Sequence, residues 1–214
     1  MKSKHAIYCG LALIVGVLIY TLVVYPALPA QIPIHWNWRG EVDGWADKRY
    51  AVWFMPGTMI CLLALLPAFP MISPRKFDME SFLPTYNDTM LMVIALLGYM
   101  DVIMLRAALD PELPFFKALM IGIFLLFALM GNVLGKTRRN FFMGIRTPWT
   151  LASEEVWIGT HRMAARIFVM TGILGIVAIC LGVPPIVTLI LIVPMTLVPL
   201  IYSYVLYQQI EGKK

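Results

Sequence analysis

Six long apolar runs, at residues 6–25, 51–69, 90–109, 115–134, 167–183 and 186–207, alternate with shorter stretches that carry most of the charge. At about 1.5 Å of rise per helical residue, runs of about 20 residues match a hydrocarbon core of about 30 Å, with the fifth at the short end. The pattern predicts an all-α fold, a polytopic membrane bundle of six transmembrane helices. Connections at 110–114 and 182–185 are short, so the third and fourth spans, and the fifth and sixth, are expected to be antiparallel neighbours. Two regions are read along the chain: 1–89, with two spans and a Trp-rich loop at 26–50, and 90–214, with four spans and a basic loop at 135–166. No internal repeat or low-complexity tract interrupts them.

Composition removes the soluble alternative. With 60% hydrophobic and 14% charged residues and a mean hydropathy of +0.80, the chain holds more apolar surface than a soluble domain of 214 residues can bury. The net charge of +5 is therefore read by its placement rather than as a nucleic-acid signal, and the partner it indicates is the lipid bilayer. Lys2, Lys4, Arg75, Lys76, Lys136, Arg138, Arg139, Arg146, Arg162, Arg166, Lys213 and Lys214 fall on one side of the membrane. Arg39, Lys48, Arg49, Arg106 and Lys117 fall on the other. The positive-inside rule then puts both termini in the cytoplasm, loop 26–50 outside and loop 135–166 inside. The first run exceeds a signal-peptide core and Leu28-Pro29-Ala30 is a poor cleavage site, so a retained helix is expected. Cys9, Cys61 and Cys180 lie within apolar runs and are read as small packing residues.

The outer loop divides into a segment at 32–38 that alternates like a short strand and the turn signals Arg39-Gly40 and Asp43-Gly44. In such a strand His35 and Asn37 share one face, with Ile34, Trp36 and Trp38 on the other. One reading is an interfacial loop whose Trp36, Trp38, Trp45 and Trp53 sit at headgroup depth. The other is a ligand-binding surface built from His35, Asn37, Glu41, Asp43 and Asp47. One histidine with scattered carboxylates lacks zinc or calcium ligand spacing, so no metal and no cofactor is assigned.

In the inner loop, Thr147-Pro148 is a helix start, with Thr147 as cap and Pro148 in the first position. Ser153, followed by Glu154 and Glu155, is a second start, from which a helix can run unbroken into the fifth span. On that helix Trp157, His161, Ala164 and Phe168 form one face and Arg162 and Arg166 another. Arg146, between Gly144 and Pro148, is expected to make fixed hydrogen bonds to Asn132, Asn140 or a helix end.

Gly131-Asn132, Asn140, the run Gly144-Ile145-Arg146-Thr147-Pro148-Trp149-Thr150-Leu151, Trp157 and Thr160-His161-Arg162 resemble the SdpI family of bacterial integral membrane proteins. The outer pattern of Leu28-Pro29, Ile32-Pro33, His35, Asn37, Gly40, Asp43, Gly44 and Lys48 is similar to the N-terminal domain of unknown function that often accompanies it. The resemblance implies six spans in the bacterial cytoplasmic membrane. For the best-known member it implies immunity: protection from a secreted peptide toxin, reception of that toxin, and recruitment of a cytoplasmic repressor to the membrane. On this reading the partners are an extracellular peptide and a repressor protein, with no direct contact to nucleic acid.

Asp101, near the middle of the third span, raises the alternative of a small-solute or ion and proton transporter, since an ionised carboxylate there costs at least about 2.5 kcal/mol. Arg106, five positions on, is off its helical face, so Asp101 is expected to face the bundle interior and bond to a polar neighbour such as Asn132 or Thr171. A family member with no immunity role is the other alternative. His35 with Asp43, and His161 with Glu154 or Glu155, make no recognised nucleophile, metal or phosphate motif, so the chain is not read as an enzyme.

Overall fold

The computed structural model describes residues 3–68, 71 and 83–212. Its elements are α1 (Ser3–Val24), a hairpin of β1 (Gln31–Trp36) and β2 (Val42–Asp47), α2 (Lys48–Ala51), α3 (Phe54–Leu65), α4 (Leu83–Leu109), α5 (Phe115–Leu134), α6 (Pro148–Ala152), α7 (Glu154–Cys180), α8 (Pro185–Thr188) and α9 (Ile192–Ile210). Among the described residues, five segments are long and apolar enough to cross a membrane: α1, α4, α5, α7 and the stretch Pro185–Ile210. The second apolar run appears as the 12-residue α3, about 18 Å long at the helical rise, and the end of that run lies outside the described residues. The bundle is thus mostly helical and polytopic, with a two-stranded sheet added at one end.

The chain turns where its residue types require it. After α4, Asp110 Oδ1 accepts from Glu112 N–H at 3.1 Å and closes a turn before Pro114. After α7, Gly182 takes φ 91°, and Val183 N–H donates to Ala178 O at 3.0 Å before Pro185 opens α8. Both short connections make antiparallel neighbours, as the pattern predicts. The helix from Glu154 runs unbroken into the fifth span for 27 residues, also as expected. The last span does not: the 3-10 turn Leu189–Leu191 separates α8 from α9.

Two packing cores hold the N-terminal half. Ala6, Ile14 and Val17 of α1 meet Met59 and Leu63 of α3 and Tyr86 and Ile94 of α4, while Ile32 of the hairpin packs with Val52 and Leu105. The C-terminal half is organised by the α5–α7 seam, where a Cβ on Gly172 would lie 2.5 Å from both Ala128 N and Phe124 O, and one on Gly131 2.7 Å from Ala165 O. Glycine lets the two backbones touch, the usual basis of tight helix association in lipid, where no hydrophobic force drives apolar faces together. Cys9, Cys61 and Cys180 are exposed on the helices rather than packed within the bundle, which corrects their reading as packing residues.

Candidate functional site

The conspicuous polar structure of the bundle is the loop joining α5 to α7. Asn140, fully buried, ties a turn on its own: its Nδ2 donates to Arg138 O (2.8 Å) and Met143 O (3.1 Å), and its Oδ1 accepts from Phe142 N–H and Met143 N–H (both 2.8 Å). Gly144 follows at φ 110°, a conformation that L side chains rarely adopt. It passes so close to His161 that an added Cβ would overlap the imidazole Nε2. The next residue uses that proximity. Ile145 N–H donates to His161 Nε2 at 2.9 Å, and the other ring nitrogen, Nδ1–H, donates to Trp157 O at 2.8 Å. One nitrogen accepts and the other donates, so the ring is the neutral Nδ1–H tautomer. Trp157 stacks on it at 4.1 Å between centroids and donates its Nε1–H to Thr137 O at 3.1 Å.

Thr147 caps α6 as the sequence predicts, in a capping box in which Thr150 N–H donates to Thr147 Oγ1 (3.1 Å) and Thr147 N–H donates to Thr150 Oγ1 (2.9 Å). Thr147 Oγ1 also donates to Ser203 Oγ of α9 at 3.1 Å, and Trp149 packs on Tyr204 at 5.0 Å. Arg139 closes the far side of α6 by donating to Leu151 O (3.1 Å) and Ala152 O (3.2 Å), with Glu154 Oε2 3.4 Å from its Nε. Asn140, Gly144, Thr147, Pro148, Trp149, Thr150, Trp157 and His161 therefore belong to one knot. Replacing Thr147 by alanine is expected to cost about 1 kcal/mol of stability and to raise proteolysis at 148–152, read by limited digestion in detergent.

Three predicted residues behave differently. Arg146 does make a fixed hydrogen bond, but its Nη1 donates to Phe141 O, not to Asn132, Asn140 or a helix end. Asn132 is exposed on α5 and donates to Ala128 O of its own helix at 2.9 Å, and Arg162 is exposed on the face of α7 away from the knot. Sequence reasoning missed Ser203 and Tyr204, whose signal was polar side chains inside an otherwise apolar run, and read Arg139 as one of the loop's surface cations, not as the residue that closes α6.

At the other end, the acids of the hairpin are engaged locally. His35 Nδ1 lies 2.5 Å from Asp43 Oδ1. Asn37 shapes the turn: its Oδ1 accepts from Arg39 N–H (2.8 Å) and Glu41 N–H (3.1 Å), and its Nδ2 donates to Glu41 Oε2 (2.9 Å). Asp47 caps α2 and accepts from the Arg49 side chain at 2.7 Å, hydrogen bonds that hold its carboxyl at about 2, well below the ordinary carboxylate value. His35 and Asn37 do not share a strand face, because register shifts on either side of His35 break the alternation and Asn37 lies past the end of β1. Lys48 anchors the hairpin by donating to Leu28 O (2.7 Å) and Tyr25 O (3.1 Å). Trp36 stacks on Phe115 of α5 at 3.5 Å, whereas Trp38, Trp45 and Trp53 are exposed. Beside that stack a cleft of about 490 Å³ opens between the hairpin and the start of α5.

Within the bundle, Asp101 is fully buried, as expected, but its Oδ2 accepts from Thr21 Oγ1 of α1 at 3.2 Å rather than from Asn132 or Thr171. Among the described residues no three His, Cys, Asp or Glu side chains gather to hold a metal.

Compared with known proteins, residues 136–203 match the SdpI/YfhL protein family and residues 12–60 match a domain of unknown function, DUF1648. The C-terminal part of this chain is thus similar to that family. Over 196 residues the chain is 26% identical to the immunity protein SdpI of Bacillus subtilis (strain 168), a correspondence covering 91% of this chain and 92% of that protein. No solved structure matches. The SdpI/YfhL match begins at the loop and ends at Ser203, so it contains both partners of the Thr147–Ser203 bond. The DUF1648 match contains the whole hairpin.

Proposed function

We propose that this chain is a multi-pass immunity protein of the bacterial cytoplasmic membrane, protecting its host from a secreted peptide toxin without catalysis. The observation that carries this reading is the near end-to-end correspondence with the immunity protein SdpI, which covers both the hairpin and the knotted loop. The chain crosses the membrane six times with both termini inside, so that the hairpin faces the toxin and the loop faces the cytoplasm. Two features support the arrangement. Exposed Trp38, Trp45 and Trp53 ring the hairpin end as interfacial aromatics do, and Lys136, Arg138, Arg162 and Arg166 are exposed around the loop end, where the positive-inside rule places cations. The loop is the output: its cationic surface suits an acidic face on a repressor held at the membrane.

Expression of the full chain in a toxin-sensitive bacterium, challenged with the peptide toxin that the Bacillus subtilis immunity protein resists and with toxins of neighbouring producers, tests the reading. Survival at toxin concentrations at least about ten-fold above those killing the empty-vector strain is expected. Equal killing of both strains by every peptide, with the protein present in the membrane, would remove the immunity role.

A further inference from the structure

The acids of the outer loop invite the expectation of a cationic ligand, yet the structure spends them on the hairpin itself. Asp43 is engaged by His35, Glu41 by Asn37 and Asp47 by Arg49. The cleft lining carries two cations against one carboxylate, Glu41, which takes a hydrogen bond from the neutral amide of Asn37. Arg39, at the turn, lies over the Trp38 ring at 4.8 Å and has no carboxylate partner among the described residues; Lys117, in the first turn of α5, has none either. The same first turn is the positive end of a 20-residue helix, which adds to the preference for an anion. Around these two cations the cleft is largely apolar and stiff, with Trp36, Trp45 and Phe116 on its walls and four prolines contributed from three segments. Its volume of about 490 Å³ falls in the range typical of ligand sites, roughly 300–1,000 Å³.

We infer that this cleft receives the apolar, carboxylate-bearing C-terminal end of an extended peptide, the carboxylate lying between Arg39 and Lys117 and the apolar side chains against Trp36, Trp45 and Phe116. The inference rests on the immunity reading for the identity of the peptide as a toxin, and on the cleft alone for its chemistry. A peptide apolar enough to attack a membrane concentrates at the interface, which is the depth that exposed tryptophans occupy, so it meets the cleft sideways from the bilayer surface. With two cations against one carboxylate in its lining, the cleft favours an anionic terminus over a cationic one.

The test uses the full-length protein in phosphatidylcholine nanodiscs and an N-terminally fluorescein-labelled hexapeptide of leucine, isoleucine and alanine, made as the free acid and as the C-terminal amide. Fluorescence anisotropy is expected to show the acid binding at least about ten-fold more tightly than the amide. The double variant Arg39→Gln, Lys117→Gln should abolish that preference, Trp45→Ala should weaken both forms, and Lys4→Gln, an exposed cation at the opposite end of α1, should leave the preference intact. Equal binding of acid and amide, no binding of either, or exclusion of the peptide by phosphatidylglycerol nanodiscs would each overturn the proposal, the last by assigning the cleft to a lipid headgroup. A second double variant, Arg39→Glu, Lys117→Glu, should reverse the preference toward the amide, and circular dichroism of each variant identifies any that fail to fold. Selective binding without protection in cells would sink the immunity reading and leave the cleft; protection without selective binding would do the opposite.

Discussion

Gly172→Leu is expected to destabilise the protein by about 3 kcal/mol, an overpacking cost at the upper end of the usual range. The added side chain has nowhere to go, because the Cβ position already lies 2.5 Å from Ala128 N and Phe124 O, which are backbone atoms of α5 and cannot rotate aside. The helices must separate, and separation breaks the close packing that substitutes for hydrophobic association inside a bilayer. The same separation carries the α7 face that holds Trp157 and His161 away from Thr137 and Ile145, so the loop loosens with the seam. Gly16→Leu is the matched control: Gly16 lies in exposed helix with open space around its Cβ position, and the change there should stay within about 0.5 kcal/mol. Denaturant titration in mixed micelles, followed by circular dichroism, measures both. A Gly172→Leu protein as stable as the Gly16→Leu one would show that the backbones do not touch as described.

Gly144→Ala should cost about 2–6 kcal/mol. Roughly 1–3 of this comes from placing a side chain at φ 110°, and about 1–3 from loss of the Ile145–His161 hydrogen bond in a buried setting. The two sources can be separated. Because the new methyl group overlaps His161 Nε2, the pair Gly144→Ala and His161→Ala should be less damaging together than the sum of the single changes, a coupling of about 0.5–3 kcal/mol for groups in direct contact. Additive costs would mean that backbone strain accounts for the whole effect. Protease accessibility of residues 135–153 should rise in Gly144→Ala, since the knot that Asn140 and His161 tie is what keeps this loop from fraying.

Much of this molecule follows from local pattern. The long helices come from the lengths of apolar runs, the unbroken helix from Glu154 from the Ser153-Glu154-Glu155 start, and the Thr147-Pro148 turn from capping chemistry that acts over four residues. The buried face of Trp157, His161 and Ala164 was legible from spacing alone, because a helix repeats every 3.6 residues whatever surrounds it. The hairpin was half legible. Its first strand and its turn residues were visible, but the register shifts beside His35 were not, and one such shift is enough to move Asn37 from a binding face into the turn. Arg146 shows the same limit in another form. Its position between Gly144 and Pro148 pointed to a fixed hydrogen bond, whereas the choice of Phe141 O as acceptor depends on how the Asn140 turn presents that carbonyl.

By itself, then, the sequence determined that this chain is a membrane bundle, where its helices start, and which short motifs are unusual, since hydropathy, capping and helical period are properties of neighbouring residues. Only the tertiary structure decided that Ser203 completes the loop, that Thr21 rather than Asn132 or Thr171 bonds to Asp101, and that Arg39 and Lys117 come to line one cleft. The first two depend on contacts between residues 56 and 80 positions apart, and such pairings are set by helix packing, which leaves no trace in the local pattern.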